Sequence, residues 1–200
     1  MFASIVFPLA LAAGSLAMPM ARQNSCTNLG AGATASLTYN FTLSAVSPTA
    51  ADSATGTNLL VTPGPAGTSG EAVDYWLSTF SGTGSSNFPT FTLEDGALIP
   101  QPGAANQDYA AWDTTVEAGK YIDFTVTDAV FGGSNEATPY CAVSDASGFV
   151  TLAANGVSNG FSLCATTNDD YILMFQASST NDGSYQYNTC QTQNIHLVQA

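Results

Sequence analysis

Carboxylates and aromatic rings are the side chains of this sequence that could do chemistry, because bases are nearly absent. The chain has fifteen Asp and Glu, two Lys and Arg (Arg22 and Lys120), and one histidine, His196. A Ser–His–Asp arrangement needs an imidazole that accepts the hydroxyl proton. His196 lies between Ile195 and Leu197, so we expect it on the solvent side of a terminal strand whose apolar residues face the core. No catalytic residue is therefore assigned.

A pair of carboxylates is the alternative chemistry, since glycoside hydrolysis needs only an acid and a base or nucleophile. The glutamates available for such a pair are Glu71, Glu94, Glu117 and Glu136. Glu94 and Glu117 lie in segments typical of turns at strand ends, where acidic residues are common for ordinary reasons. The sequence does not show which carboxylates meet in the fold, so a glycan-active hydrolase stays an alternative.

Oxygen-rich turns resemble calcium ligands in two segments, 168–170 (Asn-Asp-Asp) and 181–183 (Asn-Asp-Gly). The second segment has the composition of a hairpin turn. We expect the two segments at opposite ends of a hairpin, and turn chemistry explains both. The cysteines form no C-x-x-C spacing and His196 is the only imidazole, so no zinc site is indicated. We predict neither a metal nor a cofactor.

Aromatic rings bind sugars when they are exposed beside amides and carboxylates. The rings that could do so are Tyr75, Trp76, Tyr109, Trp112, Tyr121, Tyr185 and Tyr187. Tyr185 and Tyr187 fall on one face of a predicted strand. Burial in the core is the favoured interpretation of these rings, because aromatics dominate the interiors of β-sandwiches. An exposed binding platform is the alternative.

The net charge of −13 excludes several classes of partner. Phosphate clamps, nucleic-acid grooves and contacts with anionic membranes all require Arg or Lys. We therefore predict that the protein binds no nucleic acid.

The N-terminus has the features of a secretory signal peptide. An apolar run from Ile5 to Ala17 is too short to span a bilayer, and Ser15 and Ala17 provide the small residues that a signal peptidase prefers. We predict a signal peptide over residues 1–17, a short segment over 18–25 and a single domain over 26–200. The mature protein is then extracellular and does not bind a membrane.

Four cysteines, Cys26, Cys141, Cys164 and Cys190, predict two disulfides in that oxidising compartment. Three connectivities are possible. We favour Cys141 with Cys164, which would join neighbouring strands, and Cys26 with Cys190, which would join the two ends of the domain.

The elements that must position these side chains are β-strands. Residues 36–44 and 122–127 alternate strictly between apolar and polar. Further strands are predicted over 58–62, 73–80, 90–93, 109–116, 140–144, 149–153, 161–165, 171–177, 185–189 and 194–198. No segment indicates an amphipathic helix, so we predict an all-β domain with the architecture of an antiparallel β-sandwich or jelly roll. Asn40, in the only full glycosylation sequon, falls on a polar position and should face outward.

The order of features resembles small secreted fungal proteins. The features are Cys26 near the start of the domain, the run 91–98 (FTLEDGAL), then 140–143 (YCAV) and 161–164 (FSLC). In this layout the chain is similar to the cell-wall proteins associated with conidium-forming cells. The resemblance implies a secreted, wall-associated, non-enzymatic β-domain, with cell-wall polysaccharide or wall proteins as partners. We therefore expect a structural or surface-interaction protein, with a carbohydrate-binding module or lectin as the alternative.

Overall fold

The fold is seen in a computed structural model, which describes residues 26–50, 55–64, 72–79, 87–128, 137–144 and 148–200. The predicted signal peptide (1–17), the segment 18–25, Glu71 and Glu136 lie outside the described residues. The described strands are β1 (Ala33–Thr34), β2 (Phe41–Val46), β3 (Thr57–Pro63), β4 (Ala72–Ser78), β5 (Thr90–Glu94), β6 (Ala97–Gln101), β7 (Tyr109–Asp113), β8 (Lys120–Tyr121), β9 (Asp123–Asp128), β10 (Tyr140–Ser144), β11 (Val150–Ala154), β12 (Phe161–Ala165), β13 (Tyr171–Phe175) and β14 (Gln191–Gln199).

Six antiparallel strands form a closed barrel in the order β2–β3–β4–β13–β12–β14 and back to β2. The remaining strands extend the sheet outside this ring. The all-β prediction is confirmed, whereas the narrower description as a sandwich or jelly roll stays a prediction.

Two long strands close the barrel, because each pairs with different neighbours along its length. The first residues of β3 (57–59) pair with β2 and its later residues (60–63) pair with β4. In the same way, residues 191–193 of β14 pair with β12, and residues 194–199 pair with β2. Closure of this kind leaves the ring itself without open edges, while outer strands such as β6 still end the sheet.

The main core is shared by the ring and the outer strands packed on it, and it follows from the period-two pattern of the strands. The largest side chains without solvent exposure include Phe41, Leu43, Leu77, Phe124, Phe161, Leu173 and Ile195. Burial of each such side chain stabilises the fold by roughly 1.5–3 kcal/mol. Because successive side chains of a strand point to opposite faces, the residues between the buried ones point outward. On β4, inward Leu77 therefore leaves Trp76 and Ser78 on the outer face of the ring.

Both disulfides are present, but with a different connectivity from the favoured one. Cys26 bonds to Cys141 and Cys164 bonds to Cys190, so all four cysteines are paired. The predicted Cys141–Cys164 pair is wrong because Cys141 on β10 packs with Cys26 in a separate cluster. Cys164 instead points to the outer face of the barrel, where it bonds to Cys190, the residue just before β14. Two disulfides are typical of proteins that fold in an oxidising compartment.

The strand predicted over 185–189 is wrong. Residues 176–190 cross the outer face of the barrel, and only a 3-10 turn, Tyr187–Thr189, is regular there. The segment 181–183 therefore turns the chain but does not join two strands of a hairpin. No helix in the described part of the chain is long and apolar enough to cross a membrane.

Candidate functional site

A concave site lies on the outer face of the barrel, between the sheet and the crossing segment 176–190. Its cavity has a volume of about 420 Å³. Trp76, Ser78 and Tyr121 line it from the sheet, and residues 166–170 and 182–184 line it from two loops.

The aromatic floor of the cavity is made by Trp76 and Tyr121, whose ring centroids are 4.8 Å apart with an interplanar angle of 44°. Tyr121 reaches this position because the chain at 120–122 enters the sheet between β4 and β13. The amide of Ile122 donates to the Leu173 carbonyl (2.9 Å), and the Ile122 carbonyl accepts from the Leu77 amide (3.0 Å). These backbone bonds hold Tyr121 beside Trp76.

The indole N–H of Trp76 is a buried donor without an acceptor among the described residues. Gly64 lies directly against it, since a Cβ at this position would be 2.8 Å from the indole nitrogen. The close approach follows from pairing, because the Gly64 amide donates to the Asp74 carbonyl at 2.7 Å. An unsatisfied buried donor costs about 1–3 kcal/mol, and Gly64 covers this one on the side where the two residues approach.

The outer wall of the cavity is fixed by the Cys164–Cys190 disulfide and by Tyr185. Tyr185 is buried, and its hydroxyl donates to the Ser178 carbonyl (2.9 Å) and accepts from the Ser178 amide (2.8 Å). The Asp182 carboxylate accepts from the Ser184 amide at 3.1 Å, which closes the turn that faces the cavity. The wall therefore has little freedom to move away from Trp76.

One ion pair lies at the rim of the cavity. The Lys120 ammonium donates to the Asp182 carboxylate at 2.7 Å, and both side chains are half exposed. Hydrogen bonds from Lys120 and Ser184 hold the pKa of Asp182 well below its ordinary range, and Asp182 raises the pKa of Lys120. Lys120 is the only Lys or Arg in the described part of the chain, so the ion pair occupies its charge.

Two further carboxylates flank Trp76 on the same face, and the sequence analysis missed them. Asp123 is opposite Trp76 across β4 and β9, and Asp74 is opposite Thr125. Burial raises the pKa of Asp123, a hydrogen bond from the Thr114 hydroxyl (2.5 Å) opposes that shift, and the charge of Asp74 adds to it. Asp123 falls on a polar position of the alternating segment 122–127, and Asp74 precedes Trp76 by two residues, which is the spacing of one strand face.

The two segments considered for calcium were wrongly placed at opposite ends of a hairpin. The loops bring them to the same cavity, where Asn168 and Asp170 lie on one wall and Asp182 on the other. Within the described residues, no group of three or more His, Cys, Asp or Glu side chains could hold a metal ion.

The predicted exposure of His196 is wrong. Ile195 and Leu197 face the core as expected, but only 9% of His196 is exposed. Its ring packs against Phe149 with centroids 5.5 Å apart at 30°. Phe149 lies just before β11, and it is near His196 because Thr151 on β11 pairs with His196 on β14. The two rings border a second concavity of about 490 Å³, called here the His196 groove.

The other predicted site residues separate into buried and exposed groups. Tyr185 is buried as favoured, whereas Tyr187 is 47% exposed and does not share a face with it. Glu94 and Glu117 are exposed. Asn40 is also exposed, one residue before β2 begins, and its glycosylation stays a prediction.

Comparisons of the chain with protein-family models, with curated proteins and with solved structures find no match.

Proposed function

We propose that this protein is a secreted, non-enzymatic surface-interaction protein of an extracellular matrix, such as a fungal wall, and that it binds glycan in the Trp76 cavity. The carrying observation is Trp76 itself, packed on Tyr121 at the floor of a cavity that Asn168, Asp170 and Asp182 also line. A sugar ring matches this arrangement, because its C–H face packs on aromatic rings while its hydroxyls donate and accept hydrogen bonds.

The polar lining of the cavity supports a sugar over an apolar ligand. Asn168, Asp170 and Asp182 line the same cavity as the two rings. Carboxylates accept hydrogen bonds from hydroxyls, and they repel anionic ligands. The glycan is therefore uncharged or cationic.

Extracellular location is supported by two disulfides and by the apolar N-terminal run that precedes the domain. An exposed Asn40 suits the glycosylation that secretion would permit.

Binding to insoluble chitin, β-glucan and mannan tests the proposal, with an acidic polysaccharide as the charge control. We expect the parent to be retained on at least one of the three. Trp76→Ala should weaken that binding by about tenfold or more, which is the effect of losing one central aromatic contact. Tyr187→Ala removes an exposed ring that does not line the cavity, and it should bind as the parent does.

Failure of the parent to bind any of the three polysaccharides would contradict the proposal. So would a Trp76→Ala variant that melts at the parent temperature and binds equally well.

Hydrolysis of the bound glycan is a second candidate, favoured by Asp74 and Asp123. Their positions are diagonal across β4 and β9, where side chains lie roughly 7–8 Å apart. Carboxylates about that far apart occur in inverting glycosidases. The non-enzymatic proposal expects no release of reducing sugar; release that both Asp74→Asn and Asp123→Asn abolish would overturn it.

A further inference from the structure

We propose that the glycan site continues from the Trp76 cavity along the outer face of the sheet to Trp112, and that its occupant is a linear glycan with protonated amines. The proposal rests on glycan binding at Trp76 and adds the length and the charge of the ligand.

Strand register places two rows of side chains side by side on this face. In the first row, Trp112 on β7 is opposite Thr125 on β9, which is opposite Asp74 on β4. In the second row, Asp123 is opposite Trp76. Paired residues share a face, as do residues two apart along a strand. The two tryptophans are therefore on one surface, with Asp74 and Asp123 between them.

The separation of the two tryptophans suits an oligosaccharide longer than the cavity. Trp76 and Trp112 are two strands apart and offset by two residues along the strands, so their Cα atoms are about 12 Å apart by strand geometry. Both side chains are partly exposed. A chain that packs one sugar on Trp76 can thus place a later sugar of the same chain on Trp112.

The surface between the tryptophans carries negative charge. The charged groups with the largest effect on Asp123 are Asp74 and Glu117, both carboxylates. Lys120, the sole Lys or Arg in the described part, bonds to Asp182 at 2.7 Å instead. A ligand amine above Asp74 and Asp123 would form charge-assisted hydrogen bonds, which are about twice as strong as neutral ones. An uncharged sugar gains no such bond, and an acidic one is repelled.

Titration calorimetry with soluble oligomers tests both parts of the proposal. The ligands are the dimer and hexamer of β-linked glucosamine, the N-acetylglucosamine hexamer, a β-glucan hexamer and a lysine peptide of matched charge. At low salt and pH 6, the glucosamine hexamer should bind about tenfold or more tightly than its N-acetylated counterpart. That preference should shrink as salt is added, because screening shortens to about 3 Å at 1 M.

Two variants on β7 distinguish the contribution of the sheet surface to binding from that of the cavity. Trp112→Ala should weaken the glucosamine hexamer by about fivefold to tenfold and leave the dimer unchanged. Tyr109→Ala is the matched control, since Tyr109 is an exposed ring on the same strand with the opposite side-chain phase. It should change neither ligand. Asp74→Asn should remove most of the preference for the free amine.

Several outcomes overturn the proposal while leaving glycan binding intact. Equal affinity for the N-acetylated or β-glucan hexamer, with Trp76 still required, would refute the charged ligand. Unchanged hexamer affinity in a folded Trp112→Ala variant would refute the extended surface. A lysine peptide that binds as tightly as the glucosamine hexamer would show that charge alone suffices. Absence of binding to every glycan would instead refute the proposed function itself.

Discussion

The Trp76 cavity and the His196 groove are similar in volume, about 420 and 490 Å³, yet they differ in chemistry. The cavity contains carboxylates and an indole N–H without a described acceptor. The groove is lined by no Asp or Glu among the described residues, and its imidazole is packed against Phe149. Volume therefore does not distinguish the two concavities. The carboxylates that line only the Trp76 cavity do.

The largest expected losses of stability come from removing the disulfides. One disulfide lies near the His196 groove and the other at the Trp76 cavity. Cys26–Cys141 joins segments next to the groove side of the sheet, and Cys164–Cys190 supports the cavity wall. Replacing each pair by serines should cost about 5 and about 3.5 kcal/mol of unfolding free energy, since the sequence separations are 115 and 26 residues. Chemical denaturation measures both.

Glycan binding should respond to only one of the two disulfides. Without Cys164–Cys190, the wall at 182–184 is no longer held over Trp76, so affinity should fall in the folded protein. Without Cys26–Cys141, the fraction that remains folded should bind as the parent does. Equal loss of affinity in both double variants would remove the distinction between the two regions.

The next effect concerns the packed rings of the groove. Phe149→Ala should lower the unfolding free energy by about 1–2 kcal/mol, and His196→Gln by about 1 kcal/mol, because a buried aromatic contact is lost. Glycan affinity should not change in either variant. Calorimetric melting and the polysaccharide assay measure the two quantities. A folded His196→Gln variant that loses a hydrolytic activity present in the parent would instead make the groove the active region.

A smaller effect on stability is expected from Asp123, which flanks Trp76. Burial raises the pKa of Asp123 in the folded state, so the native protein holds this proton more tightly than the unfolded chain does. The resulting loss of stability is fully present at pH values above the pKa of folded Asp123, and it disappears below the pKa that the group has in the unfolded chain. Asp123→Asn should therefore melt higher than the parent at pH 7, with the gap closing towards pH 3. A gap that is constant with pH, or of opposite sign at pH 7, would contradict this.

The smallest effect should come from the rim ion pair. Lys120→Met removes a bond between two half-exposed groups, and such pairs contribute little to stability. We expect a slight fall in the melting temperature at low salt and none at about 1 M salt, where the pair is screened. A large, salt-independent fall would show that Lys120 has a further structural contact.

Local sequence pattern predicted some strands to the residue. β10 and β12 have the predicted bounds, 140–144 and 161–165. Residues 185–189 alternate equally well but form no strand, because the Cys164–Cys190 bond holds them across the outer face of the barrel. The strand β6 was missed because Pro100 resembles a turn residue. Pro100 is tolerated there because β6 lies at the end of the sheet, where a missing N–H costs no ladder bond.

The candidate site was less predictable than the strands because it is assembled from distant segments. Trp76 and Tyr121 meet only because residues 120–122 enter between two strands, and the walls come from two other loops. The ring types and carboxylates were visible in the sequence. Their arrangement depends on barrel closure and on disulfide connectivity, and local periodicity reports neither.

The scarcity of basic residues has a consequence for proteolysis. Trypsin-type proteases cut after Lys or Arg and must draw several residues of extended, unpaired chain into their active sites. In the described part, Lys120 is the only such residue; its ammonium is bonded to Asp182, and its backbone lies in β8 beside Phe175. Cleavage there requires β8 to separate from β13. The scarcity of Lys and Arg thus leaves such proteases a single cleavage site in the described residues, and that site is held in a paired strand.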